Sequence, residues 1–210
     1  MSELIQNVYS NVVIGDQEAT KLNVRIALDT GAEPHRILQQ GLVEAMDEVG
    51  ARFESGDYYI PDMVLAARAM KSGLEILTPL LGDRGLEEVG TIILGTVKGD
   101  LHDIGKNLVG MMMEGAGFKL IDIGTDVSPE LIAASIEEHK PQIVGLSALL
   151  TTTMMNMETT IRHLEKVGLR DRVKIIVGGA PLSETFAQEI GADGYAMDAS
   201  QAVTLAKSLL

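Results

Sequence analysis

From Thr91 onward the chain repeats one unit five times, a short apolar run followed by a stretch with helical spacing. The strand-like runs are Thr91–Val97, Lys119–Ile123, Ile143–Leu146, Val173–Val177 and Gly194–Met197. Helical patterns follow at Ile104–Ala116, Pro129–His139, Thr153–Val167, Ser183–Ile190 and Ala199–Leu209. The first, third and fourth runs are almost continuously apolar, as strands buried on both faces must be. This alternation predicts an α/β fold, a flavodoxin-like doubly wound five-stranded parallel sheet of order 2-1-3-4-5. In that order strands 1 and 3 are neighbours, and the chain winds away from them in opposite directions. The ligand crevice then lies outside their carboxyl ends.

The first part of the chain has no such alternation. Leu4–Ile14, Glu18–Thr30, Glu33–Ser55 and Pro61–Leu77 each space apolar residues for one helical face. Pro34 suits a first helical turn and Pro79 ends the last helix. Short connections make this an N-terminal all-α helical bundle over residues 1–85, joined through Leu81–Gly85 to an α/β domain over 90–210. Only 3% of the residues are aromatic, and Trp is absent. Phe53, Tyr58, Tyr59, Ile60 and Met63 nevertheless cluster at one helical turn. They form either ordinary core or an apolar cap.

Composition narrows the chemistry. Without cysteine there is no thiolate metal site, iron–sulfur cluster or cysteine nucleophile. A net charge of −13 opposes nucleic acid and anionic membrane surfaces. The start of the chain lacks the basic and apolar segments of a signal peptide, and no apolar run is long enough to span a bilayer. A cytoplasmic protein with no membrane or nucleic-acid partner is expected. Residues 95–105 hold no Gly-x-Gly-x-x-Gly, no P-loop occurs, and His-Glu-x-x-His is missing. His35, His139 and His163 lie in helical patterns without a ligand partner one turn away, so surface positions are expected.

The chemistry concentrates at Asp100-Leu101-His102-Asp103-Ile104-Gly105, directly after strand 1. A carboxylate beside an imidazole is the pairing that orients a metal-ligating histidine. The competing reading is a capped turn, with Asp100 or Asp103 on the first free helix amides. Gly105, without a Cβ, lets a flat ligand approach the loop. Strand 3 ends at Ser147, which the topology brings to this loop from 45 residues away. Thr152 or Thr153 reads as a helix-starting hydroxyl; Ser147 is too early for that and is the better functional candidate. Gly178-Gly179, after strand 4, is either a tight turn or a place where a ligand lies on backbone.

Asp100-x-His102-x-x-Gly105, followed by Ser147-x-Leu149 and Gly178-Gly179, resembles the cobalamin-binding signature. Glu48-Val49-Gly50-x-x-Phe53 and Ile60-Pro61 are similar to the helical cap of the same proteins, so the likeness spans nearly the whole chain. The family is that of the corrinoid methyl carriers of methanogen and acetogen methyltransferase systems, related to the cobalamin module of methionine synthase. The resemblance implies a cobalamin or related corrinoid with His102 as lower axial ligand on cobalt, Asp100 on the other imidazole nitrogen and Ser147 behind Asp100 as a proton relay. It further implies cofactor contacts from Asp103, Ile104, Gly105, Ser147, Leu149, Thr151, Gly178 and Gly179, with the segment from Tyr195 to Ala199 closing the slot. Phe53, Ile60 and Met63 would cover the methyl face. The implied role is a non-autonomous carrier subunit, with a substrate-specific methyltransferase, an acceptor methyltransferase serving tetrahydrofolate or a thiol, and a reductive activation protein as partners. A cobalamin-dependent regulator and the small subunit of an adenosylcobalamin mutase share the motif. The charge and the absence of Trp oppose the first, and residues 1–85 oppose the second.

Overall fold

The computed structural model describes residues 2–81 and 89–210. The linker expected at Leu81–Gly85 lies, beyond Leu81, outside the described residues. Among the described residues two compact units form: 2–81 with Glu114–Gly117, and Val89–Met113 with Phe118–Leu210.

The first unit begins with α1 (Glu3–Val13) and α2 (Gln17–Asp29). Ser2 and Asp16 stand outside the helical conformation, and their side chains accept from the amides of Ile5 and Ala19. Such capping typically contributes about 1 kcal/mol per helix. α3 is composite: Pro34–Arg36, a π-helical segment Ile37–Val43, then Glu44–Glu54. A uniform helical period was expected here. The π segment is wider, and it buries Ile37, Leu38, Gly41, Leu42 and Val43. A Cβ at Gly41 would come within 3.0 Å of Val8, so the missing side chain admits the close approach of α1. α4 (Ile60–Leu77) starts with Pro61 in its first turn, and Asp62 accepts from the Tyr59 amide at 2.8 Å. α2 packs on both α1 and α4. Tyr58 donates its hydroxyl to the Val13 carbonyl (3.0 Å), tying the turn before α4 to the end of α1.

In the second unit the strands are β1 (Thr91–Thr96), β2 (Lys119–Asp122), β3 (Ile143–Ser147), β4 (Lys174–Gly178) and β5 (Gly194–Ala196). They pair in parallel in the order β2-β1-β3-β4-β5, as the alternation predicts. Between and after them run α5 (Ile104–Gly115), α6 (Pro129–His139), α7 (Met155–Lys166), α8 (Glu184–Glu189) and α9 (Ala199–Ser208). Ile93, Val144, Leu146, Ile175 and Val177 form a continuous core with Ile132, Ile136, Ile161 and Leu164 from the helices. Each such fully buried aliphatic side chain contributes roughly 1.5–3 kcal/mol. The register sets Thr96 beside Ser147, and Ser147 beside Gly178, at the carboxyl edge. No helix among the described residues is long and apolar enough to cross a membrane.

Candidate functional site

The loop leaving β1 carries the site. Asp100 is completely buried, whereas the His102 side chain keeps 50% of its exposure. Asp100 Oδ1 accepts from the His102 amide (3.0 Å) and lies 2.8 Å from His102 Nδ1. A carboxylate can only accept, so Nδ1 carries the hydrogen. In the neutral ring that leaves Nε2 with its lone pair. Thr96, itself buried, donates its hydroxyl to the His102 carbonyl at 2.9 Å and fixes the same turn.

Asp100 Oδ2 crosses the switch point to the chain leaving β3. It accepts from the Leu149 amide (2.8 Å), the more distant Leu150 amide (3.4 Å) and the Thr153 hydroxyl (2.6 Å). The hydroxyl behind Asp100 is therefore that of Thr153, and the expectation placing Ser147 there is corrected. Among the described residues the Ser147 hydroxyl makes no bond to Asp100. The parallel register sets Ser147 beside Thr96, at the base of the loop, where its carbonyl receives the Val97 amide. Asp100 lies four residues further along and reaches chain correspondingly further past β3. Nor is Thr153 a helix cap. The cap position of α7 is Met154, without a side-chain cap bond.

Burial opposes charge on Asp100, but hydrogen bonds from Thr153, His102 and Leu149 outweigh it and hold the carboxyl well below the ordinary carboxylate range. A depressed folded-state pKa means that the stabilisation is complete above the unfolded value of about 3.9 and is lost as pH falls toward the folded value. The stability difference between wild type and Asp100→Asn, followed by urea unfolding, is expected to narrow as pH falls from about 5 to about 2. A difference that stayed constant over that range would contradict the charged, hydrogen-bonded state.

The other expected residues divide by position. Leu101 and Ile104, on either side of the imidazole in sequence, are 73% and 81% exposed, which is costly for large apolar side chains without a ligand. Leu149 and Met197 are exposed at the same sheet edge. A Cβ on Gly105 would meet nothing within 4 Å, so there is room at the loop. Asp103 and Thr151 are exposed, Gly178 and Gly179 are half-buried, and Ala199 is buried at the start of α9. In the helical unit Ile60 is exposed, Phe53 half-buried and Met63 fully buried. His35 and His139 are exposed as expected, and His163 is partly so. Lys106 was not expected: it is buried, with Nζ 2.5 Å from Asp122 and 2.8 Å from Asn107 Oδ1, fastening the first turn of α5 to the end of β2. A lysine directly after a glycine in a first helical turn gives no sequence sign of burial.

The donor set is specific. Among the described residues no three His, Asp, Glu or Cys side chains gather to hold a metal ion. One oriented imidazole with a free nitrogen suits a metal whose other positions are filled by its own macrocycle. Exposed apolar side chains beside it and open space at Gly105 fit a large flat group. The residues present therefore fit a corrinoid.

Comparison with known proteins agrees. Two family models, each described as a B12 binding domain, match residues 4–78 and 90–204. A corrinoid protein of Desulfitobacterium hafniense is 41% identical over 210 residues, covering 99% of this chain and 97% of its own. A dimethylamine corrinoid protein of Methanosarcina barkeri is likewise 41% identical, covering 99% and 98%. A methanol:cobalamin methyltransferase complex from Methanosarcina barkeri contains a similar chain, with TM-score 0.89, 25% identity, and coverage of 99% of this chain and 80% of that one.

Proposed function

We propose a specific division of labour within an established setting: the chain belongs to the corrinoid proteins built from B12 binding domains, which bind a corrinoid cofactor. Its role is to carry a methyl group between a substrate-specific methyltransferase and an acceptor methyltransferase. The observation that carries the site assignment is the 2.8 Å contact of His102 Nδ1 with Asp100, which leaves Nε2 as the free donor.

When bound, the corrinoid supplies a cobalt centre that accepts a methyl group and gives it up. The residue that would hold the cobalt is His102, through Nε2. Asp100 holds the ring in one tautomer and orientation, and its own position is fixed by Thr153, Leu149 and the His102 amide. The imidazole lies against the Asp100 carboxylate, and the Thr153 hydroxyl on Oδ2 continues the hydrogen-bond chain. Because one lone pair cannot hold both a metal and a proton, Nε2 would exchange one for the other with Asp100 and Thr153 already in contact behind it. Leu149, Thr151, Gly178, Gly179 and the segment from Tyr195 to Ala199 would hold the rest of the cofactor at the carboxyl edge.

Support for a methyltransferase partner comes from the similar chain within the methanol:cobalamin methyltransferase complex. The acceptor enzyme, serving tetrahydrofolate or a thiol, and a reductive activation protein complete the cycle. A cytoplasmic location follows from this partnership and from the cysteine-free, acidic chain. The division into domains 1–85 and 90–210 separates a helical cap from the cofactor domain. Matching of the helical part to a B12 binding domain favours the methyl carrier over a mutase small subunit, which has no such cap.

Reconstitution tests the role. The apo chain, incubated with hydroxocobalamin under reducing conditions, is expected to retain about one corrinoid per chain through gel filtration. With a substrate-specific methyltransferase and a labelled methyl donor, label is expected on the bound corrinoid, with no donor turnover by the chain alone. A chain that retains no corrinoid, or turns over donor unaided, defeats the proposal.

A further inference from the structure

We infer that Asp126 is a positioning residue for the Asp100–His102 loop; this deepens the reading of His102 as cobalt ligand and rests on it. Asp126 lies in the connection between β2 and α6, and contributes to this loop without touching His102. Its Oδ1 accepts the Gly99 amide at 2.7 Å, and its own amide donates to the Asp100 carbonyl at 2.9 Å. The neighbouring Val127 amide donates to the Thr96 carbonyl at 2.9 Å. Lys98 Nζ stands 3.3 Å from the same carboxylate oxygen, while the Lys98 carbonyl accepts from Asn156 Nδ2 at 2.7 Å. The backbone immediately before the buried carboxylate is thus held from the β2–α6 connection on one side and from the first turn of α7 on the other.

Backbone conformation explains the residue type. Asp126 has φ 54°, a left-handed geometry that Asp and Asn tolerate better than other residues with a Cβ. Glycine would adopt it more easily but has no acceptor for the Gly99 amide. An acceptor and a left-handed backbone are both required, and Asp supplies the two together. The Gly99 bond also accounts, ahead of Lys98, for holding the Asp126 carboxyl below its ordinary range. The consequence for the site is geometric. Asp100 can present Oδ1 to His102 and Oδ2 to Leu149 and Thr153 simultaneously only while its main chain is held in place.

Three variants separate the requirements. Asp126→Gly keeps the conformation and removes the acceptor, Asp126→Asn keeps both, and Asp126→Ala keeps neither. In the apo protein, amide exchange at Gly99 and Leu149 is expected to accelerate in Asp126→Gly and to stay near wild type in Asp126→Asn. In the cobalamin-loaded protein at fixed pH, the equilibrium constant for protein imidazole on cobalt, read by electron paramagnetic resonance of the cobalt(II) form, is expected to fall about threefold to tenfold in Asp126→Gly. That is less than the 10–100-fold typical of a direct partner of a metal ligand. Asp126→Asn is expected to restore it. Wild-type exchange in Asp126→Gly overturns the clamp. Accelerated exchange with unchanged ligation reduces Asp126 to a structural residue and overturns the positioning role. A wild-type protein without imidazole nitrogen on cobalt overturns the His102 assignment, and with it this role, while the apo exchange still reports separately on the clamp.

Discussion

His102→Ala is expected to remove the protein-derived nitrogen from the lower face of the bound corrinoid while leaving the fold intact. The imidazole is half-exposed, so its removal takes little packing away, and the stability change should stay within about 0.5 kcal/mol apart from the bond lost to Asp100. Asp100 keeps its bonds from the His102 main-chain amide, Leu149 and Thr153. The effect therefore falls on ligation. Nitrogen hyperfine splitting in the cobalt(II) spectrum should vanish, and methyl transfer should drop at least about 10–100-fold, the range typical when even an indirect ligand contact is lost. Added imidazole should restore part of the splitting in the variant, because the apolar surroundings at Leu101 and Ile104 remain. Retention of the original nitrogen signal in His102→Ala would rule out His102 as the ligand.

The asymmetry between His102 and Thr153 explains what could be read from the sequence. Asp100 and His102 are two residues apart on a loop whose place after β1 is fixed by a continuous apolar run. Local spacing was therefore enough to pair them. The carboxylate's other oxygen is satisfied 53 residues away, by a threonine whose run reads as a helix start, while Ser147 reads as the partner. Topology alone favours Ser147, the last residue of β3. Geometry favours Thr153, because the loop after β1 advances Asp100 beyond the strand ends. The run of three threonines at 151–153 was the available signal, but such residues read equally well as a helix start. The five strands and their order were legible because parallel pairing demands apolar runs at βα intervals. The π segment at Ile37–Val43 was not, since its apolar residues also satisfy an ordinary helical period. The half-burial of Phe53 and full burial of Met63 could not be read either, because a cap residue and a core residue share one composition.

Gly179→Ala is the substitution expected to damage both stability and the site. Gly179 has φ 137°, outside the regions open to other residues, and a Cβ there would overlap the Ala148 carbonyl oxygen and lie 2.9 Å from its carbonyl carbon. Backbone is the obstacle, so no rotamer change can relieve the clash. The strained conformation costs about 1–3 kcal/mol and the overpacking a comparable amount, for a total of roughly 2–6 kcal/mol. What has to move is the segment beginning at Ala148, whose next two amides reach Asp100. The loss thus extends beyond the turn: the bonds holding Asp100 should weaken, and corrinoid retention through gel filtration should fall together with the unfolding midpoint. Gly191→Ala is the control. Gly191 also has positive φ, 77°, but a Cβ there meets nothing within 4 Å, so only backbone strain of about 1 kcal/mol is expected, with full corrinoid retention. Equal effects from the two substitutions would mean that the carbonyl contact at Ala148 is immaterial. A larger loss in Gly179→Ala, accompanied by faster exchange of the Leu149 amide, would tie the glycine after β4 to the carboxylate that orients His102.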